Sequence, residues 1–390
     1  MCSAIIANMA DDAGTSPLRW RLQAEEVPPA ALFADESLVQ RDVGSGEYRG
    51  LEFLQVNARR VVNEVPKASH MPFRFTINAY RGCSHACSYC FARPTHEYLG
   101  LDIAEDFDRR IVVKVNAVER ARAEIASSKW GGDHIAMGTN TDPYQKAEGK
   151  YHLTRGLIEV LGKAANPFSI LTKSTLVLRD LDVLVAAAAR TSVRLNLSIA
   201  TLDRDVWRLT EPGTPPPDRR VDAVRRLNEA GIACGVLMGP VLPGLSDADD
   251  QLRAVVDACV GAGAVSISAI SLHLRPGVRE HYLTSLAAHR PDLVELYEQR
   301  FSGGNGPRAY QPKAIQQGLS ERVRCLVRAA EGRFSGPRRV RFVPSGDGDI
   351  GRRSAEQGLG PLRVPAQCGP GAPEGVTPTP TVPPEQLSLL

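Results

Sequence analysis

Lysine is scarce in this 390-residue chain: 8 of its 47 basic residues are Lys, and the other 39 are Arg. Arginine suits phosphate and carboxylate recognition. Set against 44 acidic residues, however, it leaves a net charge of only +3, which neither demands nor excludes a polyanionic partner. The Arg bias reads first as genome base composition. No apolar run approaches the roughly 18 residues of a membrane-spanning helix, and the first residues, MCSAIIANMADDAG, carry no basic leader. A cytoplasmic location with reduced thiols and no membrane partner is therefore expected. There is no Walker loop, nucleophile elbow or triad spacing, so hydrolase readings rank low. Cysteine is also sparse, 8 in all, and five of these (Cys2, Cys234, Cys259, Cys325 and Cys368) are scattered, which excludes a disulfide framework.

The remaining three cysteines are concentrated. They form Cys83-Ser84-His85-Ala86-Cys87-Ser88-Tyr89-Cys90, a C-x3-C-x2-C pattern directly after the strand-like run Phe73–Tyr80. A [4Fe–4S] cube normally takes four thiolates, one per iron, so three close cysteines with no fourth nearby leave one iron open to a small molecule. The alternative is a Cys3His zinc site completed by His96, which would make the chain a zinc-stabilised nucleic-acid-binding module. The loop is polar, with Arg81, Gly82, Ser84, His85 and Ser88, which disfavours three merely buried thiols. His85, His96 and His273 otherwise read as structural groups.

From Phe73 onward, β-branched or apolar runs alternate with amphipathic segments. Arg74–Ala79, Ile135–Thr139, Ser169–Lys173, Arg194–Thr201, Ala233–Val241 and Val265–Leu274 read as strands, and Val118–Ala126, Thr154–Ala164, Leu181–Ala189, Arg220–Ala230 and Ala248–Ala262 as helices. Repeated β-α units predict an α/β fold with a parallel sheet, and six strands are too few for a closed eight-unit barrel. Arg110–Val115 reads as an inserted strand. Residues 1–48 read as an irregular extension, 49–290 as the barrel and 291–344 as a helical, basic appendage with a helix at Leu319–Ala330 and a short strand at Arg338–Phe342. Residues 345–390, rich in Gly, Pro, Ser and Thr, read as a disordered tail. Chemistry in parallel barrels gathers at the carboxyl ends of strands, where the cysteine loop falls.

The cysteine spacing and Tyr89 resemble the radical S-adenosylmethionine (SAM) superfamily. Several further motifs are similar to the group related to spore photoproduct lyase: Ile77-Asn78-Ala79-Tyr80-Arg81-Gly82-Cys83, Tyr89-Cys90-Phe91-Ala92-Arg93, Thr141-Asp142-Pro143-Tyr144-Gln145, Leu171-Thr172-Lys173-Ser174 and Glu211-Pro212-Gly213-Thr214-Pro215. The resemblance implies a partial (β/α)6 barrel in which Cys83, Cys87 and Cys90 hold a [4Fe–4S] cluster and SAM chelates the open iron. It further implies that Tyr89 lies at the adenine edge, that Asn140, Thr141 and Asp142 meet the methionine amino group, that Lys173 meets the carboxylate and that Ser198 contacts SAM. Asp142 has the chemistry for an ammonium, and a buried strand seldom ends in an unpaired Lys.

Glu211, in a stiff Pro-rich loop, and Arg275, after the sixth strand, read as substrate contacts. The resemblance also implies a flavodoxin- or ferredoxin-type electron donor and a DNA lesion or other nucleic-acid substrate; a small metabolite or peptide is the alternative. Arg322, Arg324, Arg328, Arg333, Arg338, Arg339 and Arg341 form a basic stretch that suits phosphates. Gln386-Leu387-Ser388-Leu389-Leu390 resembles the peptide by which bacterial repair proteins dock on the DNA sliding clamp. One departure counts against photoproduct repair itself. The lyase carries a hydrogen-donating cysteine after the second strand, and residues 136–142 contain none.

Overall fold

Apolar residues alternate along the short strands and recur at helical spacing between them, and the structure follows that punctuation. In a computed structural model, the described residues are 38–66, 71–303, 306–333 and 340–343. The main sheet contains β3 (Val62–Glu64), β4 (Phe75–Ile77), β7 (Ile135–Met137), β8 (Phe168–Thr172), β9 (Val193–Ser198), β10 (Ala233–Val241), β11 (Ser266–Ser271) and β14 (Arg341–Phe342), in the order β3-β4-β7-β8-β9-β10-β11-β14. Every neighbouring pair from β4 to β14 is parallel, and β3 joins β4 antiparallel. The expected α/β architecture and its six barrel strands are present.

The crossover helices carry one apolar stripe each. α2 (Ala117–Ile125) buries Ala117, Ala121 and Ile125, and α4 (Leu153–Lys163) buries Leu153, Leu157 and Leu161, successive turns of one face. α7 (Pro217–Glu229) starts on Pro217, whose missing N–H costs nothing at that position, and buries Arg220, Ala223, Val224 and Leu227. The remaining helices are α1 (Glu105–Arg109), α3 (Lys146–Tyr151), α5 (Leu181–Ala188), α6 (Arg204–Thr210), α8 (Asp249–Gly261), α9 (Val278–His289), α10 (Val294–Arg300) and α11 (Lys313–Glu331).

The structure corrects four expectations. First, Phe73–Tyr80 is not one strand: the chain leaves the main sheet after Ile77, and β5 (Tyr80–Arg81) joins β1 (Leu38–Val43), β2 (Glu52–Val56) and β6 (Arg110–Lys114) in a second sheet, ordered β1-β2-β6-β5. Lys114 pulls the chain across, its Nζ donating to Asn78 O at 2.8 Å and its N–H to Ala79 O at 3.0 Å. Second, β1 (Leu38–Val43) lies within the supposedly irregular extension and pairs antiparallel with β2 (Glu52–Val56). Its Val39 and Val43 face solvent, so it carried no apolar signal. The inserted strand is β6 (Arg110–Lys114), parallel to β2.

Third, α9 and α10 lie in a stretch where no helix was expected, and α9 buries Val278, Tyr282 and Leu286 on one face. A short hairpin, β12 (Ser302–Gly303) with β13 (Gly306–Pro307), follows them. Fourth, α11 is no appendage: Leu319, Val323, Leu326, Val327 and Ala330 share one core with Ile267, Ala269, Val255 and Cys259 of β11 and α8. Several nearby arginines are engaged in ion pairs. Arg322 Nε donates to Asp249 Oδ1 at 2.8 Å, Arg333 pairs with Asp257, and Arg324 pairs with Glu321. The basic stretch is thus largely neutralised where it is described. Arg338, Arg339, the tail from residue 345 and the Gln386–Leu390 peptide lie outside the described residues.

Because α11 closes the barrel core, Leu326→Ala should lower global stability by about 2–5 kcal/mol, whereas Arg328→Ala on its exposed face should stay within about 0.5 kcal/mol of the parent. Urea unfolding of the full chain checks this, and equal midpoints for the two variants would return α11 to the status of an appendage.

Candidate active site

The cysteine loop is held from several sides before any cofactor is considered. Gly82 enters it at φ +79°, and a Cβ there would stand 2.8 Å from the His96 ring, so only glycine combines that backbone with that neighbour. Its carbonyl accepts from Thr141 Oγ1 at 2.6 Å and Gln145 Nε2 at 2.9 Å, and Ser84 N–H donates to Gln145 Oε1 at 3.0 Å. On the other side, buried Arg93 grips the Cys87 carbonyl through Nε (3.1 Å) and Nη2 (3.0 Å), while Asp108 holds its guanidinium at 2.9 Å and 3.0 Å. Ala86 sits at φ +53°, a conformation that costs a non-glycine residue about 1 kcal/mol and persists because these contacts over-determine it.

The Glu211-Pro212-Gly213-Thr214-Pro215 loop closes the cradle from above. Gly213 N–H donates to His85 O at 3.0 Å, and Ser88 N–H to Thr210 O at 3.0 Å. A Cβ on Gly213 would lie 2.2 Å from Ser84 O, so the two loops touch backbone to backbone.

Cys83 and Cys87 are buried, Cys90 is half-buried, and all three are free thiols. Burial pushes the Cys87 thiol well above its ordinary value against the pull of Lys173, and pushes Cys90 up to about 11 with help from Cys83. Such thiols wait for a cation to make them thiolates. A Cys3His zinc site would need His96 as its fourth ligand. His96 is occupied elsewhere, its Nε2 3.0 Å from Arg110 O and its ring edge-on to Phe107. An iron–sulfur cube places each thiolate on a different iron and so spreads its ligands more widely. Three thiols on one clamped loop, two buried and one half-buried, fit that group, whereas His96 is not free to complete a Cys3His set.

The strand register gathers the remaining site residues. Thr172 pairs with Leu197 and Ser198 with Leu237, which brings Lys173, Ser198 and Gly239 side by side at the carboxyl end of the sheet. Lys173 Nζ donates to Ser198 Oγ (2.7 Å), Glu211 Oε1 (2.8 Å), Tyr89 OH (3.2 Å) and Gly239 O (3.4 Å). Glu211 takes Lys173 on one oxygen and Arg220 Nη2 on the other at 2.6 Å, and it accepts the Tyr89 hydroxyl. Burial alone would raise the Glu211 pKa. Arg220 and then Lys173 outweigh burial and hold the group well below its ordinary 4.5.

Asp142 is fully committed. Oδ1 accepts from Thr172 Oγ1 (2.6 Å) and Tyr144 N–H (2.9 Å), and Oδ2 accepts from Lys173 N–H (2.7 Å). His85 Nδ1 stands 3.3 Å from Oδ2, an ion-pair distance without the alignment of a hydrogen bond. Asp142 therefore ties the end of β8 to the cysteine loop, as Thr141 ties that loop to the segment after β7. Asn140 is half-buried beside them, and Arg275 is half-buried beyond β11. Three members of the site were missed in the sequence. Gln145 and Arg220 lay inside quoted motifs or just past one, where an amide and a third consecutive charged residue looked ordinary, and His85 passed as a loop histidine.

Residues 77–255 match the family model described as the radical SAM superfamily. The chain is 40% identical over 299 residues to an uncharacterised protein of Mycobacterium tuberculosis, covering 77% of this chain and 86% of that one. It is 30% identical over 201 residues to an uncharacterised protein of Methanocaldococcus jannaschii, covering 51% of this chain and 71% of that one. The chain belongs to the radical SAM superfamily. It is a radical SAM enzyme whose fold is shared with spore photoproduct lyase. A variant of that lyase with bound AdoMet and the dinucleoside spore photoproduct aligns with TM-score 0.55 at 18% identity, over 74% of this chain and 81% of that one. The lyase complexed with the dinucleoside photoproduct aligns with TM-score 0.53 at 18% identity, over 75% and 82% of the two chains.

Two predictions follow from this geometry. Gly213→Ala must push the two loops apart, so it should reduce iron uptake per chain during anaerobic reconstitution while leaving the far-ultraviolet circular dichroism of the barrel unchanged; full iron uptake would show that the loop contact is dispensable. Glu211→Gln leaves Lys173 and Arg220 buried without their anion and should cost about 3–5 kcal/mol at pH 7. Because the folded pKa is depressed, the ionised group's stabilisation is complete above 4.5 and fades as pH falls below it. The gap between parent and variant in urea melts should therefore narrow below pH 4.5, and a gap constant with pH would contradict the pairing.

Proposed function

We propose that this radical SAM enzyme holds a [4Fe–4S] cluster on Cys83, Cys87 and Cys90, binds SAM across the barrel mouth and acts on a nucleic-acid lesion or base. The observation that carries the reading is the pairing of three free thiols on a clamped loop with the Lys173–Glu211–Arg220 network beside them. When bound, the cluster and SAM supply a 5′-deoxyadenosyl radical by one-electron reductive cleavage, the electron coming from a flavodoxin- or ferredoxin-type donor.

The chain's own residues bind and orient. Lys173 and Arg220 against Glu211 leave one surplus positive charge in a buried setting, which favours the carboxylate of SAM. Lys173 would hold that carboxylate while its shortest contacts, to Ser198 Oγ and Glu211 Oε1, keep the ammonium in place. Ser198 steadies Lys173, and its own hydroxyl donates to Gly239 O at 2.8 Å. Asp142 and Thr141 act as positioning residues, which leaves Asn140 to meet the amino group. Tyr89 forms the wall between cluster and network.

The nucleic-acid assignment is supported by the motifs shared with the photoproduct-lyase-like group and by Arg275 at the end of β11. The terminal Gln386–Leu390 peptide adds a sequence argument for docking on the DNA sliding clamp. A substrate other than the spore photoproduct is favoured by residues 136–142, which supply no thiol, and by Cys234 and Cys259, which are sealed in the core.

Purified anaerobically and reconstituted, the chain should be brown with about four iron per chain and should form 5′-deoxyadenosine from SAM under dithionite. Cys87→Ala should lose both properties. A colourless protein with one zinc, or a Cys87→Ala variant retaining colour and cleavage, would overturn the cluster assignment. Product formation from a small metabolite or peptide with no nucleic acid present would replace the substrate class and leave the cofactor reading intact.

A further inference from the structure

Three rings follow one another outward from the cysteine loop, the inner pair tilted and the outer pair stacked. Phe91, the residue after Cys90, lies 5.7 Å from the His273 ring centroid at 40°, and His273 lies 5.4 Å from Tyr310 at 21°. His273 and Tyr310 face one another across an antiparallel bridge just beyond β11, a cross-strand placement that puts both rings on one face. The bridge is fixed by Leu274 N–H donating to Ala309 O at 2.7 Å. Phe91 and His273 are half-buried, and Tyr310 is 42% exposed.

A single exposed tyrosine is unremarkable in itself. This one is the outer plate of a column that begins at a cluster-loop residue, at the open end of the strands where chemistry gathers. Burial and then the nearby Arg275 push His273 down to about 4, so at neutral pH the middle ring is uncharged and stacks as an aromatic. Arg275 itself stands two residues along the chain, a half-buried cation whose charge is felt at His273. That combination recognises an unpaired nucleotide: bases stack on aromatic planes whatever their identity, and an adjacent Arg takes the phosphate.

We propose that Tyr310, backed by His273 and Phe91, is a stacking plate for a base of an unpaired nucleotide, with Arg275 on its phosphate. The proposal rests on the nucleic-acid reading above and names how that substrate is held at the rim of the same mouth. It also assigns a use to Arg275, which the cofactor network does not touch.

Fluorescence anisotropy of a labelled oligothymidylate on the full, reconstituted chain tests it. The parent and Tyr310→Phe should bind alike, because the ring is kept. Tyr310→Ala should bind about tenfold more weakly with an unchanged salt slope, since stacking releases no counterions, whereas Arg275→Ala should reduce the salt slope by about one. Tyr310 is exposed, so these variants should keep the parent's circular dichroism. If the parent binds and Tyr310→Ala binds equally well, the stacking plate is wrong while the nucleic-acid reading stands. If the parent itself does not bind the oligonucleotide, that reading fails and takes this inference with it.

Discussion

Glu211 stands between two buried cations, and the geometry of the mouth depends on it. Its carboxylate bridges Lys173 from β8 and Arg220 from α7, while its main-chain carbonyl accepts from Thr214 Oγ1 at 2.7 Å. Buried ion pairs seldom repay their desolvation by attraction alone, but breaking one leaves an uncompensated charge. Here the remaining donors and acceptors are also used. Arg220 gives Nη1 to Ser198 O at 3.0 Å and Nε to Pro215 O at 2.8 Å. The same arginine thus fixes the strand that carries Ser198 and the loop that carries Glu211. Specificity of arrangement, more than stability, is what such a network supplies.

The cysteine loop is the counterpart of that network. Its backbone is gripped by Thr141 and Gln145 from the segment after β7, by Arg93 on the far side and by Gly213 from the loop after α6. Asp142 links the two halves through β8 and His85. The thiols are therefore presented by a frame of hydrogen bonds from the protein's own side chains and backbone, as preorganised sites require. Gly138 shows how tight the frame is: at φ +87°, its missing Cβ would lie 2.0 Å from Leu171 O.

The parts of the fold legible in the sequence were those with a single clear period. The six parallel strands and the helices of α2, α4, α5, α7 and α8 each show one apolar stripe or alternation, and each was placed within a few residues. What failed were elements whose signal is tertiary. β1 is an edge strand with exposed valines, and β5 takes its partner where Lys114 draws the chain across. The site was legible wherever chemistry forces a rare residue type, as with three close cysteines or a lysine closing a buried strand. It was illegible where common residues work by placement: Gln145 and Arg220 look ordinary until the fold brings them against Gly82 and Glu211.

The central claim is that the three loop thiols hold a cube with one iron left open and that the Lys173 network presents SAM to it. Electron paramagnetic resonance of the reconstituted, dithionite-reduced chain, recorded before and after addition of SAM, tests this most directly. The account predicts a reduced [4Fe–4S] signal whose g values shift when SAM occupies the open iron, with the shift weakened at equal SAM concentration in Lys173→Ala. A cluster signal that SAM leaves unchanged in the parent chain would contradict it.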